Sequence, residues 1–217
     1  RCSPLSRALC LSEVYLDICF SVSDVNWTLT KDVVSIIGTF GALTVAVLGL
    51  FTWKRQLRGT SEYEVAKNAI LKTYQVQQAI QAVRHPMLHL KKEEVEAGNQ
   101  LQEEQRIYNE RLSALSNVWS ELQTIRLESK AIWSEEAYSS FDDIQKCVNK
   151  INADIWLHFW LKGAYAGPGA TVDRSPKRVA KNNEVVYYTS EEDPFSTQIA
   201  ASVKRVEDFF GQKVRAR

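Results

Sequence analysis

Val33 to Trp53 reads VVSIIGTFGALTVAVLGLFTW, twenty-one consecutive residues without a charge, and Lys54, Arg55 and Arg58 follow at once. At about 1.5 Å per residue, a helix of this length covers roughly 30 Å, the thickness of a bilayer's hydrocarbon core. Soluble core helices seldom run so far without a charge, so the stretch predicts a transmembrane helix over 33–53. Trp27 and Trp53 bracket it, and indole rings favour the headgroup level. Basic residues crowd the C-terminal flank, whereas Lys31 on the other side is accompanied by Asp32. The positive-inside bias then places the chain after Trp53 in the cytoplasm and the N-terminus outside. In this reading Lys54, Arg55 and Arg58 fix topology and meet anionic lipid headgroups as a by-product.

Gly38, Ala42 and Ala46 recur every fourth residue within the run. They share one stripe on which two helix backbones can approach closely, so the expectation is a helix–helix interface between copies of the chain. Glycine and alanine are also common in membrane helices for reasons of composition alone.

One span in 217 residues leaves enough chain for one modest soluble core. The net charge of +1 argues against a dedicated nucleic-acid binder. Helix formers dominate, glycine and proline are sparse, and strand-like runs are nearly absent, so the expected class is all-α. Residues 1–32 form an extracytoplasmic segment in this reading. Its first part, Arg1 to Asp24, holds Cys2, Cys10 and Cys19, three of the four cysteines. Glu13 and Asp17 interrupt what would be the apolar centre of a signal peptide. The expectation is that 1–24 is upstream sequence translated in frame, with the native start near Val25 at a non-AUG codon. The alternative is an extracytoplasmic extension whose cysteines pair in an oxidising compartment.

After the basic flank, Ser61 and Glu64 offer an S-x-x-E capping box, at which a helix begins or through which it continues. Ala66, Ala69, Ile70, Thr73, Val76, Ile80 and Val83 step by threes and fours, the mark of one buried helical face. Pro86 ends that helix at His85. Residues 91–105, rich in Glu, Gln and Lys, read as a solvated turn or a frayed helix start. Tyr108, Leu112, Leu115, Trp119, Leu122 and Ile125 give a second stripe, and Phe141, Ile144, Val148, Ile151, Ile155 and Phe159 a third, with a turn at Trp133 and Ser134 between them. Gly163 is a natural stop. These helices, joined by short connections, predict a three- to four-helix antiparallel bundle over 54–162. Residues 163–193 read as a loop with a brief extended stretch at Val185–Tyr188, and 194–217 as a C-terminal helix and basic tail. Asp193 and Pro194 supply that helix's N-cap and first-turn proline, and Phe195, Ile199, Val203, Val206, Phe209 and Phe210 its apolar side.

No motif of reaction chemistry is complete in the sequence. His85, His89 and Glu93 are spaced by fours, but Pro86 breaks the helical face a metal would need. The glycines of 163–169 lack the G-K-[ST] ending of a phosphate loop. Cys147 beside Ile144 and Val148 reads as a small buried thiol without an identifiable base. The expectation is therefore no cofactor, no metal and no catalytic residue. Trp156, Phe159 and Trp160 crowd one end of the third helix, with Tyr165 just beyond. Large rings at helical spacing usually close a core, and the alternative is a patch where a partner docks.

The run W-K-R-Q-L-R-G-T-S-E-Y-E-V-A-K, Trp53 to Lys67, the proline turn Arg84 to Pro86 and the acidic, phenylalanine-containing end Glu191 to Phe210 resemble a group of uncharacterised bacterial proteins. Those proteins carry one N-terminal membrane helix and a cytoplasmic helical domain. The resemblance extends from Asn26 onward and implies a bacterial inner-membrane location, but it brings no known activity or site residues. Together these readings predict a membrane-anchored interaction or scaffold protein, whose partners are the lipid bilayer, a second copy of the chain and an unidentified protein, but not nucleic acid. The competing class is a membrane-tethered enzyme or effector with a site between bundle helices, built from dispersed carboxylates and His158.

Overall fold

A computed structural model describes residues 27–165, 167–169 and 171–215; the expectations for residues 1–24 and their cysteines fall outside it. All regular structure among the described residues is helical: α1 (Trp27–Arg84), α2 (Lys92–Glu96), α3 (Gln100–Ser139), α4 (Asp142–Lys162), α5 (Pro176–Val186) and α6 (Pro194–Arg215). The chain divides into two compact units, Arg1–Lys54 and Arg55–Arg217.

In the first unit, α1 is long and apolar enough to cross a membrane, and every residue from Trp27 to Lys54 is exposed. Its threonines direct their hydroxyls inward: Thr39, Thr44 and Thr52 each donate to the carbonyl four residues back, at 2.8, 2.8 and 2.9 Å. Gly38, Ala42 and Ala46 lie on this exposed helix, and a Cβ added at Gly38 would meet nothing within 4 Å.

The second unit buries the apolar stripes read from the sequence. The α1 side contributes Ala66, Ala69, Thr73, Val76, Ile80 and Val83, α3 contributes Tyr108, Leu115 and Leu122, and α4 contributes Ile144, Val148, Ile151, Ile155 and Phe159. The side-chain pairings run in opposite senses between successive helices. Lys72 meets Glu121 while Arg111 reaches the Val83 carbonyl, so α3 runs back along α1. Glu104 meets Lys162 while Arg126 meets Asp142, so α4 runs back along α3. Phe141 packs on Phe210 and Cys147 lies 3.9 Å from Ser202, which reverses α6 against α4. Consequently Arg84, the start of α3 and the end of α4 share one end of the unit, roughly 44 Å along α1 from Arg55.

Of the two possibilities at Ser61 the second holds, because α1 runs through it. Two local readings change. The turn expected at Trp133 and Ser134 is a kink inside α3, where Ser134 takes φ 69° and ψ −161°, a backbone region that side chains with a Cβ seldom enter. Trp133 stays packed, its ring 5.6 Å from Phe210. Residues 176–186, expected as part of the 163–193 loop with Val185 and Val186 extended, form α5 instead. The stripe was hidden because a polar residue holds a buried position: Asn182 is 1% exposed and donates to the Asp154 carbonyl at 2.8 Å and carboxylate at 3.1 Å.

Candidate functional site

Two buried polar centres occupy the Arg84 end of the second unit. The first is built on Arg84 itself, fully buried because it follows Ile80 by one helical turn and so continues the apolar stripe. Its Nε donates to the Val185 carbonyl at 2.8 Å, Nη1 to Ser196 Oγ at 2.7 Å, and Nη2 to the carbonyls of Glu184 and Tyr187 at 3.1 and 3.0 Å. Nη2 also reaches both Asp193 oxygens at 3.1 Å. Helices end with orphan carbonyls, and here the guanidinium takes up those of Glu184 and Val185 in the last turn of α5 and that of Tyr187 just after it. Asp193 in turn accepts from the Ser196 amide at 2.7 Å, capping α6 as its place before Pro194 predicts. Burial alone would raise the Asp193 carboxyl, but the Ser196 amide and hydroxyl together with Arg84 bring it down to about 2. The Phe195 ring covers the guanidinium at 5.0 Å. Each of the three guanidinium nitrogens donates, and the centre ties the end of α1 to α5 and α6.

The second centre joins α3 to α4. Glu104 and His158 are 7% and 4% exposed, and His158 Nε2 stands 3.5 Å from Glu104 Oε1 and 3.5 Å from the Tyr187 hydroxyl. Lys162 closes on the same Glu104 oxygen from the rim. Burial would raise the Glu104 carboxyl, yet the hydrogen bonds and charges of His158 and Lys162 outweigh it and hold it below the ordinary carboxylate range. Tyr108, wedged against Phe159 with ring centroids 5.5 Å apart, has its phenol pushed up by burial first and then by Tyr187 and Glu104. Burial also raises Tyr187. Glu104 and Lys162, with Gly98, Gln100 and Leu101, line an open cleft of about 400 Å³. A carboxylate, an imidazole and two phenols beside a cleft are the materials of proton transfer.

No family model, curated protein or solved structure matches this chain.

Near the same end lies an aromatic cluster. Trp156, Trp160 and Tyr165 touch one another, with ring centroids 5.5 to 6.1 Å apart, and the Tyr165 hydroxyl accepts from Gln105 at 2.8 Å. Trp156 is 56% and Tyr165 39% exposed. Phe159 does not belong to this patch. It follows Ile155 by four residues, lies on the buried stripe and is 2% exposed, while Trp156, the residue after Ile155, is turned about 100° from Ile155.

The remaining candidates sit apart from both centres. Lys54, Arg55 and Arg58 are exposed on α1, and Arg58 pairs with Glu62 at 2.8 Å. His85 and His89 are exposed, and His85 Nδ1 accepts from the Met87 amide at 3.3 Å. Among the described residues no three metal-ligating side chains cluster. Cys147 is buried, and burial raises its thiol pKa, which works against thiolate chemistry. Sequence reasoning passed over Glu104 because it stands in a polar stretch, yet it precedes Tyr108 by four residues and so shares the buried face of α3.

Proposed function

We propose that this chain is a membrane-anchored helical interaction protein. Residues 33–53 form a single span in a bacterial inner membrane, Lys54, Arg55 and Arg58 hold the following chain in the cytoplasm, and α1, α3, α4 and α6 form an up-and-down bundle. One observation carries the interaction reading: Trp156, Trp160 and Tyr165 pack on one another at the surface when a buried stripe lies one residue away. Exposed tryptophan and tyrosine rings supply large contact area at little entropic cost, and such residues dominate protein interfaces. The patch sits at the Arg84 end of its unit, with a partner docking through the rings. Capture from native membranes tests this, with Trp160→Ala and the distant surface variant Lys204→Ala alongside. A partner retained by the parent and Lys204→Ala but lost from a folded Trp160→Ala supports the reading; a partner list unchanged by Trp160→Ala overturns it. For topology, a cysteine placed at Ser61 should be labelled only from the cytoplasmic side, and labelling from outside reverses the orientation. Self-association through Gly38, Ala42 and Ala46 is tested by Ala42→Ile against Val45→Ile in a membrane two-hybrid assay, where equal signals from both variants and the parent reject the stripe.

A second reading, an enzyme or effector with its site between helices, is favoured by the convergence of Glu104, His158, Tyr108 and Tyr187 beside the cleft. A small molecule bound to the purified chain and displaced by Glu104→Gln would support it.

A further inference from the structure

The start of α5 carries a run of cations that its own unit does not answer. Arg174, Lys177, Arg178 and Lys181 are all exposed, and none of their side chains has an ion pair or hydrogen bond among the described residues. Cations on the neighbouring helices are treated differently: Arg106 pairs with Glu103, Lys130 with Glu135 and Lys146 with Asp143, each at 2.7 Å. The flanking carboxylates do not neutralise the run. Asp173 accepts instead from the Ser175 amide at 2.9 Å and hydroxyl at 3.3 Å, and Glu184 forms no ion pair among the described residues. The helix beneath these charges is anchored, since Asn182 holds the Asp154 carbonyl, Val186 is fully buried and Arg84 takes up the carbonyls of Glu184 and Val185. Lys177 and Lys181, one turn apart, therefore share one side of a fixed helix.

Both ends of the run meet apolar surface. A Cβ placed on Gly163, which ends α4 between Trp160 and Tyr165 in the chain, would lie 3.4 Å from Arg174 Nη2, so the cations begin beside the exposed rings. At the other end Lys181, with Lys150, Glu184 and Gln198, borders a hollow of about 120 Å³ whose walls include the buried Val185 and Phe195.

We propose that the surface from Tyr165 through Arg174 to Lys181 binds an acidic segment of a partner protein, one with aliphatic side chains among its carboxylates. The proposal rests on the docking of a partner through Trp156 and Trp160, and it supplies that partner's chemistry. Cations with no internal partner are free to meet carboxylates without first breaking an ion pair, and complementary charge of this kind steers and orients a partner. The rings offer apolar contact at one end, and the hollow has room for one small aliphatic side chain at the other. A nucleic acid is the poorer match. It carries no aliphatic side chain for the hollow, and a chain of net charge +1 offers no extended positive field beyond the run itself.

A fluorescein-labelled peptide of Glu-Glu-Leu repeats, titrated with the full chain in a neutral detergent and read by polarisation, tests the surface. The expected result is saturable binding at low salt, weakened about tenfold by Lys177→Gln together with Lys181→Gln and by salt of about 0.3 M, and unchanged by Lys204→Ala. Trp160→Ala and a Glu-Glu-Ser peptide should each bind less tightly than the parent pair. No saturable binding below about 100 µM overturns the proposal, as does equal binding of the two peptides. Oligodeoxythymidylate bound more tightly than the peptide overturns it in favour of nucleic acid. If the double variant binds the peptide like the parent while Trp160→Ala still loses its native partner, the proposal fails and docking through the rings stands. If Trp160→Ala binds the peptide like the parent and keeps its native partner, the docking reading fails and takes the proposal with it.

Discussion

Arg84 and His158 are both buried ionisable side chains at the same end of the same helical unit, yet one donates from every nitrogen at short range and the other has no short bond. Arg84 meets backbone carbonyls, a hydroxyl and a carboxylate at 2.7 to 3.1 Å, whereas His158 has only its two 3.5 Å neighbours. The difference follows from what surrounds them. Arg84 faces helix termini, where orphan carbonyls and an N-cap carboxylate must be satisfied by something, so its role is structural. His158 faces side chains from α3 and the segment after α5, with Lys162 and a cleft nearby, and nothing in helix geometry demands its presence. A buried polar group that the fold needs is saturated; one that the fold does not need leaves room for chemistry.

The sharpest way to break this contrast is Arg84→Met. Removing one partner of a buried pair strands Asp193 and the α5 carbonyls, so the expected loss is about 3–5 kcal/mol, read by chemical unfolding of the chain in micelles. A loss below 1 kcal/mol would mean that water replaces the guanidinium and that the centre is not structural.

Acid probes the same centre more gently. The Asp193 carboxyl is depressed to about 2 in the folded chain against an unfolded value near 4, so its contribution is complete above about pH 4 and disappears as the pH falls through 2. Thermal unfolding temperature should therefore decline across that window, and Asp193→Asn should flatten the decline while lowering stability at neutral pH.

At the second centre the expected cost is smaller. Glu104→Gln keeps the shape and removes a charge whose partner Lys162 can turn to solvent from a rim position, so about 1–2 kcal/mol is lost. A cost as large as that of Arg84→Met would place both centres in the same structural class and remove the distinction drawn here. The smallest effect has the opposite sign: Ser134→Gly relieves a positive φ at the α3 kink and should raise stability by about 0.5–1 kcal/mol, provided Trp133 stays against Phe210.

Much of the helical framework was legible because apolar periodicity and terminators coincide. Val83 and Pro86 close α1, Gly163 in the left-handed conformation closes α4, and Asp193 with Pro194 opens α6. Illegibility came from polar residues at apolar positions. Asn182 concealed α5, and Glu104 made the start of α3 look solvated. Arg84 was visible only as part of a turn motif, because its partners lie about a hundred residues away and no local pattern encodes them. Spacing groups Trp156, Phe159 and Trp160 at the end of α4, though helical rotation sends Phe159 inward and leaves Trp156 outside. The polar centre around His158 was accessible only as scattered carboxylates and a histidine, since its members come from three separate segments.

The threonines of the apolar helix carry a consequence of their own. Thr39, Thr44 and Thr52 have each committed their one hydroxyl proton to a carbonyl of the preceding turn. What each then presents sideways is largely a methyl group, so to an apolar solvent these residues are close to valine in disguise. Hydropathy scales, which assess threonine with its hydroxyl free, accordingly understate how greasy this segment is.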